Sequence, residues 1–87
     1  MEVKWSRRAR NNLENVLDYI GKDNPPAAKK FLVLVLKKVS ILMEHPNLGR
    51  PGKEGTRELV IHENYVVVYR VTDCVQVLRL KHTKQKI

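Results

Sequence analysis

Residues 56–82 read TRELVIHENYVVVYRVTDCVQVLRLKH, three short runs rich in Val, Leu, Ile and Tyr separated by the polar breaks His62-Glu63-Asn64 and Thr72-Asp73. Runs of this length and composition, punctuated in this way, predict consecutive antiparallel strands, here a three-stranded meander. In the middle run Tyr65, Val67, Tyr69 and Val71 take one face of a strand, and Val66, Val68 and Arg70 take the other. Both faces are largely apolar, so this run is expected at the centre of the sheet. Its neighbours are one-sided: Leu59 and Ile61 alternate with Val60, and Leu78 and Leu80 alternate with Val77 and Arg79. Everything before residue 56 then has to cover this sheet.

Upstream, Met1, Val3 and Trp5 alternate with Glu2 and Lys4, the pattern of a short edge strand. Ser6 stands where a helix N-cap belongs, and Ala9, Leu13, Val16, Leu17 and Ile20 follow on one helical face. Arg7, Arg8, Arg10, Asn11, Asn12, Glu14 and Asp18 are left mostly on the solvated side, and Gly21 is expected to close the helix. Asn24 then caps a second helix with Pro25 at its first position, where the missing N–H costs nothing. That helix is expected to run from Pro25 to Met43 or Glu44, with Ala28, Phe31, Leu32, Val35, Val39, Leu42 and Met43 on its core-facing stripe. A linker this short makes the two helices an antiparallel hairpin. Val33, Leu34, Leu36 and Ile41 lie off the stripe, so the helix is either wedged between its neighbour and the sheet or keeps Leu34 and Ile41 for a partner protein. The segment 45–52, HPNLGRPG, cannot continue a helix and reads as a turn leading into the meander. The fold class is therefore α+β, a helical hairpin packed on one face of an antiparallel sheet in the order β-α-α-β-β-β.

A chain of 87 residues with 43% hydrophobic content supports one modest core, hence a single domain over residues 1–87. Seventeen Lys and Arg against nine Asp and Glu give a formal charge of +8 and a pI near 9.9, which favours an anionic partner such as nucleic acid, ribosome or an acidic protein. The cations cluster, at Arg7, Arg8 and Arg10 and again at Arg79, Lys81, Lys84 and Lys86. Lone Cys74 and an N-terminus without an apolar signal region are expected of a cytoplasmic protein. No membrane is expected, because the longest apolar run, Phe31 to Leu36, has only six residues. The histidines are scattered and no phosphate-binding glycine loop is present, so neither metal nor other cofactor is expected.

The succession of Trp5, Asp18-Tyr19-Ile20, Asn24-Pro25 with Ala27-Ala28, His45-Pro46, Gly49-Arg50-Pro51-Gly52, Gly55-Thr56-Arg57-Glu58-Leu59, Tyr69-Arg70-Val71 and Leu80-Lys81-His82 with Gln85 resembles the RelE/ParE superfamily of bacterial toxins. The resemblance covers nearly the whole chain and implies the toxic half of a type II toxin–antitoxin pair, neutralised by a cognate antitoxin. For the target it implies one of two things. RelE-like members cleave mRNA in the ribosomal A site without a metal, whereas ParE-like members act on DNA gyrase and are not nucleases.

Metal-free RNA cleavage needs a base for the 2′-OH, cations on the in-line phosphate and an acid for the leaving oxygen. Arg57, Arg70, Arg79, Lys81 and His82 form the candidate set, with Glu58 as an alternative base; histidine is the residue type that exchanges protons near neutrality. Each also has a structural reading: Arg57 pairing with Glu54, Glu58 or Glu63, Arg70 as a strand cation satisfied by an acid or a carbonyl, Lys81 as a solubiliser and His82 as a cap on the last strand. Tyr65 and Tyr69 read as core beneath the helices, or as stacking rings in the opposite orientation. The C-terminus carries no tyrosine, a thinner set than RelE-like nucleases usually show, so the resemblance favours the ParE branch. A basic nucleic-acid-binding module without toxicity is the third reading.

Overall fold

The computed structural model describes residues 1–83. Among these residues eight elements follow: β1 (Val3–Trp5), α1 (Arg7–Asp23), α2 (Pro25–Ile41), β2 (Arg50–Pro51), a 3-10 turn (Lys53–Gly55), β3 (Arg57–His62), β4 (Tyr65–Val71) and β5 (Val75–His82). The strands form one sheet in the order β1-β5-β4-β3-β2. The meander β3-β4-β5 is antiparallel and β4 lies at its centre, as the two-sided apolar pattern of Tyr65–Val71 requires. Two edges go beyond the expected meander. β1 joins β5 in parallel, and the segment read as a plain turn contributes β2, which pairs Arg50 with Glu58 and Pro51 with Arg57.

Both helices lie on the face of the sheet that carries Leu59, Val67, Tyr69, Val75, Val77 and Leu80, and Ala9, Phe31, Val35, Val39 and Leu42 meet these in the core. The Phe31 ring stands edge-on to Tyr65 with centroids 5.0 Å apart. The hairpin turns on one residue. Asn24 donates its N–H to the Ile20 carbonyl (3.1 Å), closing α1, while its Oδ1 accepts the Ala27 N–H (3.1 Å) and opens α2.

Four expectations need correcting. α1 does not stop at Gly21 but continues to Asp23, because Gly21 does not adopt the positive φ of a glycine stop and Asn24 supplies the termination through its N–H to Ile20 O. α2 ends at Ile41, where i→i+3 bonds such as Leu42 N–H to Val39 O (3.0 Å) tighten the last turn, and this swings Met43 out of the core stripe into solvent. Asn12 is not on a solvated face: its Oδ1 accepts the Leu80 N–H at 3.1 Å and ties α1 to β5. In β5 the alternation breaks at a bulge, since Val68 pairs with Arg79 but Tyr69 with Val77, so Leu78 is the extra residue. Val77 and Leu80, rather than Leu78 and Leu80, therefore face the core. Ser6 holds that bulge while capping α1. Its N–H donates to Val77 O (3.0 Å), its hydroxyl donates to Leu78 O (2.9 Å), and the same oxygen accepts the Ala9 N–H (3.0 Å).

Candidate functional site: a bare sheet face and a helix–strand seam

The sheet has a second face, opposite the helices. Directly paired residues point to the same side, so the pairings place Glu58, Val68 and Arg79 in one row, Val60, Val66 and Lys81 in the next, and Lys4, Gln76 and Arg70 in a third. Val66 and Val68 are 1% and 5% exposed although neither belongs to the core under the helices. Long charged side chains flank them in the ladder, and those of Glu58 and Lys81 are themselves only 23% and 22% exposed. The result is a basic surface with an apolar floor. Within it Glu58 is engaged twice, by Arg50 at 3.1 Å and by Lys81 at 3.8 Å. Arg70 donates to the Glu54 carbonyl at 3.3 Å, in the Lys53–Gly55 turn, where Glu54 (φ 53°) and Gly55 (φ 76°) both adopt the left-handed conformation.

The six residues weighed for catalysis do not all meet. Glu58, Arg70, Arg79 and Lys81 share the bare face. Arg57 alternates to the helix side, in register with Tyr69, and donates to the carbonyls of Gly49 (2.7 Å) and Asn47 (3.3 Å), pinning the loop before β2. His82 is also on the helix side, paired with Tyr65 and stacked edge-on against its ring at 5.1 Å. It lines a polar cleft of about 250 Å³ with Asn12, Asn15 and Tyr19. Burial, reinforced by neighbouring Tyr19, raises the Tyr65 phenol above its ordinary pKa. Tyr69 is fully buried; its hydroxyl donates to Pro46 O (2.7 Å) and accepts the Gly49 N–H (2.8 Å), so it is a core residue and not a stacking platform. Lys84 and Lys86, counted in the sequence among the clustered cations, and Gln85 lie outside the described residues. Among the described residues no group of three or more His, Cys, Asp or Glu side chains comes together as a metal site, and no helix is long and apolar enough to cross a membrane.

The two residues expected to await a partner lie along the seam between α2 and β3. Ile41 lines an open groove of about 430 Å³ with Leu48, Arg50, Val60 and Lys38. Leu34 lines a second hollow of about 280 Å³, with Lys30 and His62. Leu34 is half-buried against the core, which fits the wedged-helix reading, whereas Val33, Leu36 and Ile41 stay exposed. Sequence reasoning missed Arg50, Lys38 and Val60 as members of these surfaces. The signal for Arg50 was a second short strand hidden in a Pro- and Gly-rich turn.

The sequence profile of the family described as the ParE toxin of type II toxin–antitoxin systems, parDE, matches residues 3–87. Toxin RelE2 of Caulobacter vibrioides is 35% identical over 82 residues, covering 93% of this chain and 93% of that protein. The toxin RelE3 of the same organism is 31% identical over 88 residues, covering 97% and 96%. Among solved structures, a chain of the chromosomal ParDE toxin–antitoxin system from P. aeruginosa superposes with a TM-score of 0.84 at 26% identity, over 97% of each chain. ParE and RelE names thus fall on relatives of one fold, as expected where a scaffold is shared and the target is set by side chains. Profile, relatives and fold agree over nearly the whole length, and the chain belongs to the ParE toxin family of type II toxin–antitoxin systems, within the RelE/ParE superfamily.

Proposed function

We propose that the chain, acting as a single toxin domain over residues 1–87, inhibits DNA gyrase through protein contact and is held inactive by its cognate antitoxin. The observation that carries this reading is the division of the candidate catalytic set between two faces of the sheet. A 2′-OH attack needs its base and its phosphate cations within hydrogen-bond reach of one phosphate. Here His82 stands against Tyr65 on the helix side, while Arg70 and Lys81 are on the bare face. Glu58, the base that does lie among the cations, has its oxygens occupied by Arg50 and Lys81.

The second reading is a ribosome-dependent mRNA endonuclease, favoured by the gathering of Glu58, Arg70, Arg79 and Lys81 on one basic face. There Glu58 would be the base and the cations would hold phosphate. Two parallel assays on the purified toxin separate the readings: gyrase supercoiling, and translation of a defined mRNA with mapping of cut ends. Gyrase inhibition that survives His82→Ala and Arg70→Ala, with intact mRNA, is the expected outcome. Codon-phased cuts that require ribosomes and disappear with Glu58→Gln or Arg70→Ala would overturn it.

A further inference from the structure

We propose that the groove between α1 and the outer edge of β5 is a nucleotide site, taking a purine base in the cleft at Asn12 and a phosphate at Arg8. The site lies apart from the bare face and from the α2–β3 seam, and it does not depend on which target the toxin has. β1 pairs with β5 only as far as Val77, so residues 78–82 have no strand on their outer side among the described residues. α1 runs there instead. Ser6 ties its start to the carbonyls of Val77 and Leu78, and Asn12, further along, accepts the Leu80 N–H. Arg8, Asn12, Asn15 and Tyr19 follow at spacings of four, three and four, which puts them in one stripe on the β5 side of the helix. Glu14 and Asp18 lie off this stripe.

The two ends of the stripe offer different chemistry. At one end the cleft of about 250 Å³ is lined by Asn12, Asn15, Tyr19, Tyr65, Leu80 and His82. It is smaller than the pockets that enclose a whole small ligand, so it suits one planar ring system with the rest of the molecule outside. Tyr19 is 74% exposed and takes no part in the core, leaving its ring open for a base to stack on. The Leu80 N–H holds Asn12 Oδ1, which leaves the two N–H donors of that amide for the cleft. The acceptor edge of a purine, N7 with O6 in guanine, matches them. Asn15 is exposed and brings a donor and an acceptor beside them. At the other end, neither Arg8 nor its neighbours Arg7 and Arg10 make a side-chain hydrogen bond or ion pair among the described residues. Three arginines and no acid at the start of a helix oppose its dipole, so these cations weaken the helix they begin. Cations and dipole together favour a phosphate. Arg8 stands one turn from Asn12, about 6 Å along the axis, the reach of the sugar between a base and its phosphate.

The test is a titration of the isotope-labelled purified toxin, followed by its backbone and side-chain amide signals, with GMP, CMP and a single-stranded DNA oligonucleotide. It is repeated for Tyr19→Ala, Asn15→Ala and Arg8→Ala. These three side chains are exposed, so their loss leaves the fold intact, whereas Asn12→Ala would strand the Leu80 N–H. GMP should move the side-chain amide signals of Asn12 and Asn15 and bind at least about threefold more tightly than CMP. Tyr19→Ala should weaken GMP by about fivefold or more, and Arg8→Ala by about three- to tenfold with a shallower salt dependence. Asn15→Ala should erase most of the preference for GMP over CMP. Movement of these signals by GMP assigns the site to free nucleotides. Movement by the oligonucleotide alone, with the same loss in Tyr19→Ala, assigns it to an unpaired base in a strand. No movement at Asn12 and Asn15 with millimolar GMP or with the oligonucleotide overturns the inference, as does binding that inorganic pyrophosphate competes away and Tyr19→Ala leaves unchanged.

Discussion

The two faces of this sheet bury β-branched side chains equally well by different means. On the covered face, Val67, Tyr69, Val75 and Val77 are fully buried beneath two helices. On the bare face, Val66 and Val68 reach almost the same burial without a helix above them. Charged neighbours shield them, with Glu58, Arg79 and Lys81 directly opposite in the ladder. Burial by packing gives a rigid interior, where shape and hydrogen-bond satisfaction decide stability. Burial beside charged strand neighbours leaves a surface whose charges are already in place. A sheet finished in both ways has a side for folding and a side for a partner.

The largest effects should therefore fall on the covered face, at the junction where Tyr69 holds the loop before β2. Tyr69→Ala removes a fully buried ring and should cost about 3–5 kcal/mol. Tyr69→Phe keeps the ring but strands the Gly49 N–H and the Pro46 carbonyl, a loss of about 1–3 kcal/mol. Gly49→Ala tests the same junction from the other side. Its Cβ would sit 2.8 Å from the Glu58 carbonyl oxygen and from both Cε1 and the hydroxyl of Tyr69, backbone and buried ring that cannot easily yield. Urea denaturation should show Gly49→Ala destabilised by about 1–3 kcal/mol, the range for overpacking. A neutral result would mean that the loop is not locked to the sheet as the hydrogen bonds indicate.

A paired substitution sharpens the contrast between the faces. Val67→Thr places a hydroxyl under the helices and should cost about 1–3 kcal/mol. Val68→Thr places it between the charged side chains of Glu58 and Arg79, which can hydrogen-bond it, and should cost less than about 1 kcal/mol. Equal losses would show that the bare face is as closed as the other one.

The contrast was only partly legible in the chain. Period-two alternation fixed the meander, and the two-sided pattern of Tyr65–Val71 placed it at the centre, because a central strand cannot hide polar residues on either side. Asn24-Pro25 located the hairpin, since cap chemistry is local. Face assignment along β5 was not legible. A bulge at Leu78 shifts the alternation by one residue, and what fixes it is the distant Ser6, 72 positions earlier. The candidate site misleads for a different reason: residue type groups Arg57, Glu58, Arg70, Lys81 and His82, although plain alternation from core-facing Leu59 and Leu80 sends Arg57 and His82 to the helix side. The gathering of Lys38, Ile41 and Leu48 beside β3 depends on how the chain returns from α2, which no local pattern encodes.

On the bare face, Glu58→Gln probes whether its charges are structural. The carboxylate, itself 23% exposed, meets Arg50, which is 63% exposed, and Lys81, which is 22% exposed but 3.8 Å away. Solvent screens the first contact and distance weakens the second, so the loss should be about 1 kcal/mol. Binding to any anionic partner at this face should strengthen and become steeper in salt, because one opposing charge has gone. A loss of several kcal/mol would instead make this face part of the folding machinery.

The smallest effect concerns Tyr65, on the covered face but open to the cleft with His82. Its pKa is raised above 10.0, first by burial and then by Tyr19, so the folded chain holds the phenolic proton more tightly than the unfolded chain does. The corresponding stabilisation is fully present below pH 10 and is lost as the pH rises through the raised value. Tyr65→Phe carries no such proton, and its ring keeps the edge-on contacts with Phe31 and His82. Denaturation midpoints measured between about pH 9 and 11 should thus fall less steeply for Tyr65→Phe than for the parent chain. Parallel slopes would mean that the phenol is as well solvated folded as unfolded, and that the cleft at Tyr65 belongs, like the bare face, to the open side of the molecule.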